Sequence, residues 1–280
     1  RMAAAVGLGV GAGRLARSGR PRGHARAVAA RAGKQVLVAG STGGTGKQVV
    51  ETLIREGSWD VKAMARDREK ADRVLDAGGK LSVVEADVDD YDSVLRAMRG
   101  ATHVVSSIGT GGRQWDVTGP FRVDYVGNTH LIKAAKECGV EKFVLVSSIG
   151  ADDPFFPLNL FWGVLIWKKQ AEQALQSSGI NYTIVRPGGL ADETEARTAA
   201  NADPIVMDRA DAYGLPPRKA PSGVILRSQV AQVCEVALTS KEADNKVVEV
   251  VTGEGGGGSS LETIEQLFAA IPTAPAPEAE

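Results

Sequence analysis

The sequence predicts an α/β fold, a doubly wound parallel sheet in a single domain. Three observations predict it. Short apolar runs and helical stretches alternate six times between residues 35 and 186. The first run is continuously apolar, as a strand covered on both faces is. Six such units in succession call for parallel strands joined by right-handed crossovers. The chain has 280 residues and 43% hydrophobic side chains, enough for one large core.

The elements follow in order. "QVLVA" (35–39) is a strand ended by Gly40, and Thr45 to Arg55 reads as a helix. "VKAMA" (61–65) is the second strand, before a charged helix over 68–77. "LSVVE" (81–85) precedes Asp87 and a helix over 91–98. "HVVSS" (103–107) precedes a glycine-rich loop and a long helix over 120–138. Pro120 falls in that helix's first turn, where its missing N–H costs nothing. "KFVLVSS" (142–148) is the fifth strand, a helix over 158–177 follows, and "YTIVR" (182–186) is the sixth strand. The rhythm then breaks over 187–223, which hold five prolines. A loop of that length in a compact domain is usually a lid or disordered, and it is read here as a lid region. Order returns with a helix over 228–239 and the strand "KVVEVV" (246–251). Gly255 to Gly258 read as a joint, and Ser259-x-x-Glu262 as a capping box opening a helix over 260–270. The domain runs over 34–271, and 272–280 read as a disordered tail.

Charge is unevenly spread. Residues 1–33 carry seven arginines and no acid, while the whole chain carries −1, so the remainder carries −8. An Ala/Gly/Arg-rich, acid-free leader reads as an organelle transit peptide, with "AVAARA" (27–32) as a cleavage zone. The other reading is a disordered basic arm that stays on. The acidic remainder argues against nucleic-acid binding. Cys138 and Cys234 have no CxxC spacing, and His24, His103 and His130 make no cluster, so no metal site is expected. Phe155 to Trp167 is the longest aromatic-apolar stretch; at 13 residues, broken by Pro157 and Asn159, it is too short to span a bilayer.

The strongest local signal is "VLVAGSTGGTGKQVV". Gly40, Gly43 and Gly46 form G-x-x-G-x-x-G between a strand and a helix, with Thr42, Gly44 and Thr45 between them. Such glycines let the backbone approach a pyrophosphate, and the helix start offers it unpaired N–H groups. In NAD-preferring sites an acid about twenty residues past the loop binds the ribose hydroxyls. Here that position is Arg66, in "MARDREK". Arg66, with Arg68 or Lys70, suits a 2′-phosphate instead, so NADP(H) is favoured over NAD(H). Asp67 is the counter-argument, since it could serve a ribose. Asp87-Val88, just past the third strand, could place a carboxylate on the adenine amine, or could simply open a helix.

These pieces together resemble the short-chain dehydrogenase/reductase superfamily, in its atypical, NmrA-like branch, over about residues 34–270. Three runs, "WDVTGPFRVDY" (115–125), "LNLFWGVLIWKKQAEQAL" (158–175) and "YTIVRPGGL" (182–190), resemble the branch's plastid members. Among these is the dehydrogenase domain of the redox-sensing Tic subunit of the chloroplast inner-envelope translocon. The resemblance implies a Rossmann-type domain in the chloroplast, in the stroma or peripheral to the envelope or thylakoid membrane. It also implies cofactor contacts at Gly109, Pro187 and Gly188. The superfamily's catalytic unit is Tyr-x-x-x-Lys, a serine after the fifth strand and an asparagine in the fourth helix. Lys168 matches the lysine, and Ser147 or Ser148 the serine, with Ser148 taken as catalytic. Val164 stands in the tyrosine's place and Asp124 in the asparagine's. The lysine ammonium lowers the pKa of a phenol one turn away, so that the phenol exchanges a proton near neutral pH; valine has no proton to give. Lys168 keeps its other family role, binding the nicotinamide ribose. The Tic subunit's long Pro/Ser-rich region, which docks ferredoxin–NADP reductase, has no counterpart in residues 272–280, so that partnership does not carry over.

Two readings of function follow. One is an NADPH-dependent reductase of flavin-like, quinone-like or carbonyl acceptors. The other is a non-catalytic NADP(H)-binding redox sensor or assembly protein at plastid membranes. "PFFPLNLFWGVLIW" (154–167) bears on the choice. Its apolar residues point all round a helix, which predicts a core helix walling the nicotinamide pocket. The alternative is an exposed patch for a membrane surface or a protein partner.

Overall fold

A computed structural model describes residues 34–75, 81–110, 116–194, 197–215, 217–218 and 220–274. The expected leader (1–33) and most of the expected tail (275–280) lie outside the described residues. An eight-stranded sheet has the order β3-β2-β1-β4-β5-β6-β10-β8. Its strands are β1 (Gln35–Ala39), β2 (Asp60–Ala65), β3 (Leu81–Glu85), β4 (His103–Ser106), β5 (Lys142–Val146), β6 (Asn181–Pro187), β8 (Ile205–Arg209) and β10 (Lys246–Thr252). All pairings are parallel except β8 on β10. The predicted Rossmann-type doubly wound sheet is therefore the observed one. The strand order reverses between β1 and β4, and at that switch point a crevice opens past the strand ends.

Helices cover both faces, as the apolar strands demand. In β1, Val36 and Val38 face α1 (Gly44–Glu56), α6 (Arg227–Thr239) and α7 (Leu261–Ala270). Leu37 and Ala39 face α3 (Tyr91–Met98), α4 (Asn128–Cys138) and α5 (Val164–Gln176). All four are fully buried. Each Val or Leu removed from water contributes about 1.5–3 kcal/mol. Asp67 and Asp90 cap α2 (Arg68–Val74) and α3, accepting backbone N–H bonds from their first turns. Among the described residues no helix is long and apolar enough to cross a membrane.

Several elements depart from expectation, each for a local reason. The helix expected over 120–138 is two pieces, a π-helix (Pro120–Gly127) running into α4. Asn128 Nδ2 and Thr129 Oγ1 take the carbonyls of Asp124 and Tyr125, at 2.8 and 2.9 Å. Those carbonyls belong to the ordinary i−4 ladder, and side chains occupying them favour the wider turn. The helix expected from 158 starts only at Val164, after a 3₁₀ turn at Pro157–Leu160. Trp162 (φ 58°) and Gly163 (φ 68°) take left-handed conformations that break the helix. Asn159 Oδ1 then caps α5, accepting from Leu165 and Ile166 N–H at 3.0 and 3.2 Å. The all-round burial expected of this stretch is absent. Phe155 is 88% and Leu160 86% exposed, and Phe161, Trp162 and Ile166 are exposed too.

Residues 187–223, read as a lid, contain β7 (Gly189–Ala191) and β8. β7 pairs in parallel with β9 (Val224–Leu226). Runs of three residues among prolines carry no periodicity to detect. The last helix is capped by Ser260, not Ser259: Ser260 Oγ accepts Thr263 N–H at 3.1 Å, while Ser259 Oγ accepts Ile205 N–H at 2.9 Å.

Candidate dinucleotide-binding site

The glycine loop is held by contacts that a side chain would destroy. Gly43 N–H donates to the Gly40 carbonyl at 2.9 Å. A Cβ on Gly46 would stand 2.2 Å from that carbonyl oxygen and 2.7 Å from Ser107 Oγ. Only glycine lets the first turn of α1 sit on the loop. Gly40 has φ +78°, with the Ser107 carbonyl 2.9 Å from where its Cβ would be. Thr45 and Gly46 are buried in the turn. No side chain caps α1 and no acid lies in its first turn, so its leading N–H groups are open to an anion.

A cleft of about 300 Å³ runs from this loop past the ends of β2, β3 and β4. Gly40, Thr42 and Gly43 form one wall; Arg66, Lys70, Asp87, Val88 and Gly109 lie along it. Asp67 is turned elsewhere: its carboxylate accepts Lys70 N–H at 2.9 Å as the cap of α2. Arg68 reaches the Val83 carbonyl at 3.4 Å and lies 3.8 Å from Asp72. Asp87 accepts Asp89 N–H at 3.1 Å. Val88 is buried, and its carbonyl lies 2.7 Å from His130 Nδ1. The cleft also takes in Thr110, Asp116 and Arg122, the last paired with Asp89. These come from the loop after β4 and from the π-helix, where no motif announces them.

Lys168 is already engaged. Its ammonium lies 2.7 Å from Oδ1 of Asp124, which is fully buried in the π-helix. The other oxygen of Asp124 accepts Thr110 Oγ1 at 3.2 Å and Thr110 N–H at 3.4 Å. Gly109 opens the cleft toward this pair: a Cβ there would be 3.3 Å from Asp124 Oδ1 and 3.7 Å from Lys168 Nζ. Val164, one turn before Lys168, is the first residue of α5. Ser148 Oγ donates to the Ile149 carbonyl at 3.1 Å and is not bonded to Lys168. Pro187 ends β6 and Gly188 follows it; the Pro187 carbonyl accepts Ile149 N–H at 3.1 Å, and Gly188 N–H donates to the Val250 carbonyl at 3.0 Å. The structure thus brings Gly109, Asp124 and Lys168 together. Ser148, Lys168, Pro187 and Gly188 lie outside the 300 Å³ cleft.

Beside Lys168 lies a charged network that sequence reasoning missed. Arg186, at the end of β6, is fully buried. Its Nε and Nη2 donate to the two oxygens of Glu172 at 2.9 and 2.6 Å, a bidentate pair. Nη1 donates to Asp152, with Glu249 and Asp211 at 3.5 and 3.6 Å. Lys169 pairs with Asp152 as well. Burial opposes the charge on Arg186, but the Glu172 and Asp152 carboxylates outweigh it and raise its pKa. Burial likewise works to raise Asp152, yet the Arg186 guanidinium prevails and holds it well below the usual carboxylate range. Asp211 is pushed up, first by burial and then by the hydrogen bond and charge of Asp152. Burial also pushes Glu249 up, against backbone bonds from Tyr213 (2.7 Å) and Asp211 (3.1 Å). A strand-end arginine is visible in the sequence, but its four acids come from four separate segments. Among the described residues no cluster could hold a metal ion.

Residues 40–241 match a protein family described as NAD(P)H-binding. The chain belongs to the NAD(P)H-binding family. Within this oxidoreductase-like family it is 34% identical over 258 residues to Protein TIC 62, chloroplastic, of Arabidopsis thaliana. That match covers 85% of this chain but only 38% of TIC 62, so the chain spans well under half of that relative. It is 40% identical over 228 residues to an uncharacterized chloroplastic protein of the same plant, covering 78% and 76% of the two chains. Among solved structures, one from Bacillus halodurans described as an NAD-dependent epimerase/dehydratase superposes with a TM-score of 0.70. It is 26% identical, and the match covers 84% of this chain and all of that one. The resemblance to plastid Tic-type proteins expected from the sequence is thus found.

Proposed function

We propose that this chain is a plastid NADP(H)-dependent oxidoreductase that works without a positioned tyrosine. The observation that carries the reading is the end of β2. Arg66 and Lys70 line the cleft there, while the Asp67 carboxylate is occupied as a helix cap. Two cations suit a 2′-phosphate, and the acid that would serve a bare ribose is committed elsewhere. The residues fit a dinucleotide: the cradle is one that a Cβ on Gly46 would fill, and α1 is uncapped. In this reading Gly40, Thr42, Gly43, Gly44, Thr45 and Gly46 hold the pyrophosphate, and Asp87 and Val88 the adenine. Lys168 holds the nicotinamide ribose, with Gly109, Pro187, Gly188 and Ser148 around it. When bound, the cofactor supplies a hydride. Val164 has no proton to deliver to an alkoxide, so the acceptors that suit the site are flavin- or quinone-like, which solvent can protonate. Chloroplastic relatives support the plastid location.

Two measurements test this. Calorimetry is expected to give NADPH at least tenfold tighter binding than NADH, about 1.4 kcal/mol, with Arg66→Ala erasing most of the gap. Equal affinities in the unmutated protein overturn the preference. NADPH oxidation is expected with quinones or flavins, and to be very slow with simple aldehydes and ketones. Aldehyde turnover on the order of 1–10³ per second would mean that another residue supplies the proton.

A second reading, a non-catalytic NADP(H)-responsive module, is favoured by the exposed run Phe155–Trp162, which offers apolar surface for a partner. Binding without turnover of any acceptor would support it.

A further inference from the structure

Gly44 has an unusual neighbour. It is the first residue of α1, it lies between the motif glycines, and it does not adopt a left-handed φ. Its backbone therefore does not require glycine. What the missing side chain makes room for is Arg227. A Cβ on Gly44 would stand 2.7 Å from Arg227 Nε, 2.8 Å from Cδ and 3.4 Å from Cζ.

Arg227 is the first residue of α6, which packs along α1, so the starts of two helices and a guanidinium converge beside the glycine loop. All three are positive, and α1 has neither an acid in its first turn nor a capping side chain. The arginine's carboxylate partner is Asp192, just past β7, with Nη1 to Oδ1 at 2.7 Å. Asp192 is 80% exposed, while Arg227 is 25% exposed. An ion pair to so exposed a carboxylate is worth little and exchanges readily. Nε, the nitrogen against Gly44, is a different donor from the one Asp192 uses. A guanidinium beside the first residue of an uncapped helix is an unfavourable meeting of like charges until an anion joins them.

Resting on the NAD(P)H reading of the cleft, we propose that Arg227 is a pyrophosphate-binding residue. It closes the glycine loop from the α6 side, in the space Gly44 leaves, and trades its bond to Asp192 for a phosphoryl oxygen. Arg66 and Arg227 would then read the two anionic groups of one ligand separately: Arg66 the 2′-phosphate, Arg227 the pyrophosphate.

Calorimetry with three probes tests it: NADPH, ADP-ribose, which has the pyrophosphate but no 2′-phosphate, and adenosine 2′-monophosphate, which has the reverse. Arg227→Gln is expected to weaken NADPH and ADP-ribose about ten- to a hundredfold, the range for a lost charge-assisted hydrogen bond, and to leave adenosine 2′-monophosphate within twofold. Asp192→Asn removes the competing partner and is expected to tighten ADP-ribose severalfold. NADPH and ADP-ribose binding to Arg227→Gln as tightly as to the unmutated protein overturns the proposal. So does an equal loss of all three probes, or weaker ADP-ribose binding by Asp192→Asn. Failure of the unmutated protein to bind any dinucleotide overturns instead the NAD(P)H reading beneath it.

Discussion

Lys168 and Asp124 show how one buried aspartate shapes a site. An asparagine at 124 would offer Lys168 a neutral amide; the aspartate holds the ammonium at 2.7 Å from a fully buried oxygen. Removing one partner of such a pair leaves an uncompensated charge, at about 3–5 kcal/mol when burial is complete. Lys168→Met is therefore expected to lower stability by about 3 kcal/mol, and adding Asp124→Asn to restore most of it. Urea midpoints check this; a double variant no more stable than Lys168→Met would mean that the pair does not matter to the fold. The same pair marks a limit of sequence reading. Gly40, Gly43 and Gly46 were legible because their spacing falls within one strand–loop–helix unit, and Arg66 because it stands a fixed interval past that loop, at the end of β2. Lys168 and Asp124 were each picked out by resemblance, but their contact depends on a π-helix meeting α5. Arg227 was invisible, since it stands 183 positions along the chain from Gly44.

At the scale of elements, the six βα units were legible because each strand is a short stretch built around apolar residues and separated from the next by a helical or polar segment. The stretch 154–167 misled because composition reports hydrophobicity, not burial. Its apolar count matched a core helix, yet Trp162 and Gly163 end the preceding turn and leave Phe155 and Leu160 in solvent. Elements are tied together here by Arg186, which joins β6 to α5 through Glu172, to β10 through Glu249 and to the turn after β8 through Asp211. Its acids are not equivalent. Glu172 is fully buried and bidentate, whereas Asp211 is pushed up by burial and by its bond to Asp152. Glu172→Gln is expected to cost about 3 kcal/mol or more, a fall in Tm of roughly 6–12 °C for a domain of this size. Asp211→Asn is expected to change Tm by no more than about 2 °C, because a neutral partner suits Asp152 there as well. Thermal melts showing equal losses would contradict this ranking.

For the whole molecule, acid stability is governed in part by His103. Burial lowers its pKa to about 4, and the Lys34 and Lys142 cations push the same way. Its ring packs edge-on against Trp59 at 4.9 Å. The native state keeps this imidazole neutral down to about pH 4, while the unfolded chain protonates it near 6.5. Between those values the unfolded state binds more protons, so stability falls as pH falls, by about 1.4 kcal/mol per unit. Asp211 and Glu249, with raised values, act in the opposite sense in acid. The comparison that isolates His103 is the difference between the unmutated protein and His103→Asn. The unmutated protein is expected to lose about 2 kcal/mol more between pH 6.5 and 5 than the variant does. Parallel urea midpoints across that range would place the histidine's titration elsewhere.

The order of the sheet also sets a timetable. Among the described residues β8 pairs with no strand but β10, and β10 fills the place between β8 and β6. A chain emerging from the ribosome delivers β6 and then β8, but the strand that links them comes last. From Pro187 to Thr252 is 65 residues, which at ~5–20 residues per second is roughly 3–13 s of synthesis. Throughout that interval the outer edge of β6 is an open row of N–H and C=O groups. It is free to accept a strand from another nascent chain, and closes only when the seven residues of β10 arrive.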